Sequence, residues 1–259
     1  MCGRLNIQAT ELLRLLRSIT LEMYPGEDNY NAAPTESLPV IRVCADGGLE
    51  CLPMRWWLTP SWSQGPSTEY SMFNAKVETA AKRPAFRGPF ANRRCVLPVS
   101  GFYEWHRSAG RKQPFLINDQ AAEGLLLAGC WDVWHPKGDA GDAAQLFSFT
   151  LLTSPAHPNM YPLHHRQPIF LTRDQALQWL DLANDTESLA RNLASELPVS
   201  LLATPVSSEV NNARNKSSRC VTPMGDSYAI STDVFFDAAV IGTIKKASSG
   251  EQESFIVDT

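Results

Sequence analysis

Apolar and polar positions repeat with two different periods along this chain. From Thr10 to Ile19 (TELLRLLRSI) apolar residues fall at 12, 13, 15, 16 and 19. That spacing predicts an amphipathic packing helix with Thr10 as its N-cap. Asn31 to Thr35 then reads as a turn, Leu38 to Cys44 as a strand, and Asp46-Gly47-Gly48 as a hairpin turn into a second strand over Leu49 to Met54. Further short strands are predicted over Cys95 to Ser100, running straight on into Gly101 to Trp105, and over Pro114 to Ile117, Leu125 to Cys130, Leu146 to Thr153 and Val199 to Ala203. They are separated by turns and loops and not by regularly alternating helices, which points to an antiparallel sheet system. Asn74 to Thr79 reads as a helix start, and Lys82 to Arg94 as irregular because of Pro84 and Pro89. Thr172-Arg-Asp-Gln175 is a capping box opening a helix through Trp179 and Leu180, and a second helix is expected over Glu187 to Leu197. Residues 245–259 are polar, and disorder is expected there.

Composition narrows the class. A chain of 259 residues with 44% apolar content can bury one sizeable core, and no apolar run is long enough for a membrane-spanning helix. No charged segment followed by an apolar one opens the chain, so a soluble, cytoplasmic protein is expected. The six cysteines, at 2, 44, 51, 95, 130 and 220, have no C-x-x-C or Cys/His spacing, so neither zinc nor a disulfide framework is predicted. Net charge is −4, yet between Lys76 and Lys112 nine basic residues face only Glu78 and Glu104. Such a segment either forms a solvated face or attracts a phosphate backbone.

Four stretches carry candidate chemistry. With Met1 removed, Cys2 presents an amine and a thiol on adjacent carbons, able to condense with an aldehyde and close a five-membered thiazolidine. The reference pKa values of both groups leave a useful nucleophilic fraction at neutral pH; the plain alternative is a buried apolar cysteine. Arg55 to Trp62 holds three tryptophans, which suits either core packing or base stacking. Glu104 sits among the aromatics of Gly-Phe-Tyr-Glu-Trp, where desolvation would raise its pKa and make it a proton carrier, unless it faces water on a surface strand. The loop from Thr153 to Pro168 contains three of the five histidines and an arginine, either surface polar groups or an acid/base with a phosphate clamp.

Taken in order, the motifs resemble the SRAP family, the abasic-site processing proteins once labelled SOS response-associated peptidases. They are Cys2-Gly-Arg, Asn-x-Ala-Pro-Thr at 31–35, a Trp-Leu-x-Pro-x-Trp stretch at 57–62, Asn-Ala-x-x-Glu-Thr at 74–79, Phe86-Arg87, Arg93-Arg94-Cys95, Gly-Phe-Tyr-Glu-Trp at 101–105, Ala-Gly-x-Trp at 128–131 and Leu163-His164-x-Arg166. The resemblance covers residues 2–220 as one domain, leaving 221–259 as a C-terminal extension. It implies an α+β fold, a mainly antiparallel barrel-like domain with peripheral helices and a DNA-binding cleft. It implies a Cys2 thiazolidine cross-link to abasic sites in single-stranded DNA, without cofactor or metal, by a monomer that joins the nucleoid when bound to DNA. Asn74 matches the residue that positions the nucleophile, Glu104 the acid/base carboxylate and His164 the assisting histidine. Arg4, Lys76 and Arg166 match phosphate positions, and Trp56 and Trp62 are the stacking candidates beside them. Three departures stand out: Lys76 replaces a usual arginine and loses its bidentate fork, Trp57 replaces a usual glycine, and Gln167 a common methionine.

Three other readings stay open on the residues alone. A Cys-Gly start also suits an N-terminal-nucleophile glutamine amidohydrolase, and Cys2, His164 and Glu104 also suit an autoproteolytic Cys/His peptidase, with hydrolase or lyase as the enzyme class. A non-enzymatic DNA-binding module would need only the basic segment and the tryptophans.

Overall fold

The computed structural model describes residues 2–19, 26–108, 111–137 and 145–232. The expected disorder of 245–259 lies outside them. The architecture is the expected α+β, barrel-like one, organised around a long strand, β10 (Leu146–Pro155).

Five strands close a barrel: β3 (Ser37–Val43), β4 (Leu49–Trp56), β6 (Arg94–Val99), β9 (Leu125–Trp134) and β10. β3 pairs antiparallel with β4 and β6, β6 with β9, and β9 with β10, while β10 and β4 close the ring in parallel through Ser148↔Arg55 and Phe149↔Trp56. Closure removes the unpaired edges that an open sheet would expose. Alternation decides which side chains face inward. Cys95, Leu97 and Val99 of β6 join Phe149, Leu151, Leu127 and Trp56 in the interior cluster, while Val96, Ala128 and Cys130 face outward into a second cluster.

Helices cover that outer face. α1 (Ala9–Ile19) buries Leu12 and Leu16. Thr10 is not its cap: the N–H groups of Gln8 and Ala9 are met by Ser100 Oγ at 2.9 Å and Asp28 Oδ1 at 2.8 Å, side chains brought in by the fold. α3 (Arg87–Asn92) is a short helix where irregular chain was expected; Pro89 lies in its first turn, where no intrahelical N–H bond is lost. α4 (Arg173–Leu180) has the predicted capping box, with Gln175 N donating to Thr172 Oγ1 at 3.2 Å and Thr172 N donating to Gln175 Oε1 at 2.8 Å. α5 (Thr186–Leu193) begins one residue before the expected Glu187, capped by Asp185, and ends short of Leu197.

Beside the barrel lies a six-stranded antiparallel sheet. In spatial order it runs β14 (Tyr228–Ile230), β13 (Leu201–Pro205), β8 (Arg111–Asp119), β7 (Gly101–Ser108), β1 (Leu5–Ile7) and β2 (Asn29–Ala32). Asn31 therefore belongs to a strand, and the turn follows it, with Thr35 at φ 83°. β1 is held on both sides, Leu5 opposite Ala32 and Phe102, which fixes the residues just before it. Gly101 is required where β7 crosses its neighbour: a Cβ there would stand 2.7 Å from the Ile117 carbonyl oxygen.

Asn74 is a further correction. Asn74–Lys76 is a strand, β5, paired parallel with Leu151–Thr153 of β10, and only then does α2 (Val77–Ala80) begin. The chain leaves the edge of β10 at Trp56 and rejoins the same edge at Asn74, so residues 57–73 are an excursion from it.

Candidate functional site

The site assembles where the chain start meets β5 and β7. Cys2 is fully buried, and its carbonyl oxygen accepts a 2.6 Å hydrogen bond from Asn74 Nδ2. The Cys2 thiol points back at the Arg4 carbonyl, 3.8 Å away, which also accepts Tyr103 N at 3.0 Å. That last bond continues the β1–β7 ladder towards the chain start, so the residue after Tyr103 lies alongside Gly3. It is Glu104.

Glu104 is only 3% exposed, and burial pushes its carboxyl from 4.5 up to about 7. Burial, and secondly the Glu104 charge, push the Cys2 thiol well above its ordinary value, so the sulfur is held as S–H at neutral pH. A buried thiol raised by a neighbouring carboxyl that is itself raised by burial is suited to proton exchange with it.

His164 lies on the loop between β10 and β11 (Arg166–Pro168), which packs Met160 and Leu163 into the core cluster that includes Cys2. The loop is tied to β7 by His106 Nδ1 and the Pro162 carbonyl, 3.1 Å apart. The His164 ring stacks on His165 with centroids 4.3 Å apart, and its Nδ1 is 3.0 Å from Arg166 N. Burial first, with nearby positive charge added, pushes its pKa down to about 4, so the imidazole is neutral at pH 7. His157, on the same loop, is structural: Gln167 Oε1 accepts its N–H at 2.8 Å while Gln167 Nε2 donates to the Glu196 carbonyl at 2.8 Å. This gives the glutamine at 167 a job a methionine has no atoms for.

The expected DNA contacts divide. Arg166 is buried, its guanidinium paired with the Glu78 carboxylate and donating to the Thr153 carbonyl at 2.6 Å and Thr153 Oγ1 at 3.2 Å. Its charge is engaged by Glu78, which it holds below the usual carboxylate range. Lys76 is exposed. Arg4 is half-buried beside Trp105, with its guanidinium carbon 6.0 Å from the ring centroid. Trp56 has 0% exposure, donates from Nε1 to the Phe73 carbonyl at 2.9 Å and stacks on Phe149, so it presents no face to a base. Trp57 packs on Phe73 at 5.3 Å. Trp62 is the opposite case, 66% exposed beside an open cavity of about 450 Å³ shared with Pro84, Arg87, Pro89 and Arg93. Arg93 is held there by Asp132 at 3.1 Å.

Sequence reasoning gave no site role to Trp105 or Lys112. Lys112 Nζ sits 4.8 Å from the centre of the Trp105 ring, whose Nε1 donates to Asn211 Oδ1 at 2.7 Å. The signal was the β7–β8 register, Trp105↔Pro114 and Arg107↔Lys112, invisible while the strand was ended at Trp105. Among the described residues no cluster of His, Cys, Asp and Glu is arranged to hold a metal ion, and no helix is long and apolar enough to cross a membrane.

Comparison with known proteins bears on the family and the fold. The family described as SOS response associated peptidase (SRAP) matches residues 1–213. An abasic site processing protein of Bacillus subtilis, YoqW, is 29% identical over 225 residues, covering 84% of this chain and 97% of that protein. The chicken abasic site processing protein HMCES is 30% identical over 260 residues, covering 87% of this chain and 75% of its own length. A solved Bacteroides thetaiotaomicron protein superposes with a TM-score of 0.69 at 20% identity, covering 85% of this chain and 98% of that one, which bears on the fold alone. With the family match spanning most of its length, and the motif residues Cys2, Asn74 and Glu104 converging in one pocket, this chain belongs to the SRAP family.

Proposed function

We propose that this protein processes abasic sites by forming a thiazolidine between Cys2 and the ring-opened aldehyde of the lesion in single-stranded DNA. The observation that carries this reading is the pairing of a buried, Asn74-anchored Cys2 with a Glu104 carboxyl whose pKa is about 7. In the chain without Met1, the neutral Cys2 amine adds to the aldehyde carbon to give a carbinolamine. Protonated Glu104 gives its proton to the departing hydroxyl, water leaves, and a protonated imine remains beside the Glu104 carboxylate. The thiol sulfur then bonds to the carbon of the protonated imine, its proton passing to the Glu104 carboxylate, and the ring nitrogen keeps the N–H it already has. The net change is loss of one water, and Glu104 ends as it began.

A carboxyl near pH 7 suits both halves of that cycle, because it is populated as acid and as base. Asn74 holds the Cys2 carbonyl and so orients the amine and thiol around one carbon. His164, kept neutral, offers the opened sugar a polar partner without adding charge. Arg4 and exposed Lys76 meet phosphates, and Trp105 and Trp62 offer flat faces to bases. Arg166 acts by pinning the His164 loop through Glu78 and Thr153.

The test is denaturing electrophoresis with intact mass spectrometry, using Met1-processed protein, single-stranded DNA with one abasic site, and Cys2→Ala in parallel. A heat-stable species at protein plus DNA minus one water, absent from Cys2→Ala, is expected. No adduct from a verified free Cys2 terminus would overturn the proposal, and turnover of glutamine or of a peptide by the same sample would assign the site to amide chemistry instead.

A further inference from the structure

Asn31 carries more hydrogen bonds than its place in an edge strand requires. Its side chain is fully buried, and Nδ2 donates to the carbonyl oxygens of Val210, Asn212 and Asn215 at 3.2, 2.9 and 2.9 Å. Its Oδ1 accepts from Arg4 Nη1 at 2.8 Å. The backbone oxygen of Asn31 takes Lys216 Nζ at 2.7 Å, and the same ammonium pairs with Glu36. One residue thus gathers the loop 206–216, which is about 180 positions away in the chain, around the guanidinium two residues after Cys2.

The consequence falls on Arg4. Nη1 is used twice, on Asn31 Oδ1 and on the Val210 carbonyl at 2.7 Å, while Nε and Nη2 make no hydrogen bond among the described residues. A guanidinium so held presents its remaining donors in a fixed direction, the arrangement that meets a phosphate bidentately. The same loop supplies Asn211, whose side chain accepts the Trp105 indole N–H. Arg4 and Trp105, a cation and a flat ring in contact, are therefore set by one buried amide.

We propose that Asn31 is a positioning residue for single-stranded DNA, holding Arg4 directly and Trp105 through the 206–216 loop as a preformed phosphate-and-base cradle. This rests on the function proposed above. The chemistry asks for an amide: an aspartate would set a negative charge against three carbonyl oxygens and neutralise Arg4, and an alanine would remove the side-chain donor shared by the Val210, Asn212 and Asn215 carbonyls together with the acceptor of Arg4. Preorganisation lowers the cost of ordering the contact when the strand arrives.

The experiment measures cross-linking rate against abasic single-stranded DNA concentration at several salt concentrations, for wild type, Asn31→Ala, Arg4→Gln and the double variant. Asn31→Ala is expected to raise the half-saturating DNA concentration roughly tenfold, leave the plateau rate unchanged, and reduce the salt slope by about 0.7, the value for one single-strand phosphate contact. Arg4→Gln should raise the half-saturating concentration and lower the salt slope to the same extent, and the double variant should add nothing to either. A lowered melting temperature with the salt slope intact, or additive losses in the double variant, would make Asn31 merely structural and overturn the proposal. If Asn31→Ala does not fold, nitrogen relaxation of Arg4 Nε in the free wild-type protein decides: an order parameter near 0.85 is expected, and one below about 0.6 overturns it. The relaxation measurement needs no DNA, so it still decides the role of Asn31 if the wild-type protein fails to cross-link and the function itself falls.

Discussion

Replacing Glu104 with glutamine should make the protein more stable and less active, with both effects governed by pH. The carboxyl is buried and its pKa stands at about 7 against an ordinary 4.5, so ionising it in the folded state costs roughly 3 kcal/mol more than in the unfolded chain. Because the folded pKa is the higher one, the folded state binds the proton more tightly. Wild-type stability is then at its full value below pH 4.5, falls as pH rises through 7, and levels off about 3 kcal/mol lower. Glu104→Gln removes this titration. Urea unfolding at pH 5 and pH 8.5 should therefore show the variant gaining on wild type by about 2–3 kcal/mol between the two pH values. Cross-linking should slow by about 10²–10⁴-fold, because the amide neither gives the proton to the departing hydroxyl nor takes it from the thiol. Parallel pH–stability curves for the two proteins would show that Glu104 is not desolvated, and an unchanged cross-linking rate would show that it moves no proton.

Three further outcomes follow from the geometry. Trp56→Ala should cost about 3–5 kcal/mol of stability, the usual price of emptying a large core site, whereas Trp62→Ala should leave the melting temperature unchanged and weaken single-strand binding by about 1–3 kcal/mol; the reverse assignment in paired melting and binding measurements would refute the placement. Glu78→Ala strands the buried Arg166 cation and should destabilise by roughly 1–3 kcal/mol, with Glu78→Gln recovering part of the loss in the same denaturant titration. Lys76→Arg should tighten binding to abasic single-stranded DNA, and Lys76→Ala should lower the salt slope by about 0.7; equal slopes for all three proteins would remove Lys76 from the phosphate path.

What the chain disclosed in sequence and what it withheld follow the range of the forces involved. The Thr172/Gln175 capping box closes within four residues, and the structure has it as read. Thr10 looked like a cap by the same rule, but the donors of that helix are met by Asp28 and Ser100, which only folding brings near. Asn74 was taken for a helix start because its strand character comes from Leu151, across a parallel pairing that leaves no local signature. Trp56 and Trp62 share one aromatic stretch and have opposite fates, since Trp56 is the last inward-facing residue of a barrel strand and Trp62 lies beyond its end. The candidate site was legible as a list of residues because its members fall in recognisable motifs. Who engages whom was not: nothing in the spacing joins Arg166 to Glu78, or Asn31 to a loop 180 positions downstream.

The excursion at residues 57–73 has a bearing on how such a protein can change. The chain quits and rejoins the same edge of β10, and the ends of the loop are built into the barrel, with Leu58 and Thr59 buried, Thr59 N donating to Ser148 Oγ at 2.8 Å and the Phe73 carbonyl accepting from Trp56 Nε1, while Trp62 between them is exposed. Trp62 rides on that loop, while the Asn74 that grips Cys2 stands at its foot. On the function proposed above, grip on the nucleic acid and alignment of Cys2 are thus separate design variables, and a change confined to exposed Trp62 can alter the first without disturbing the second.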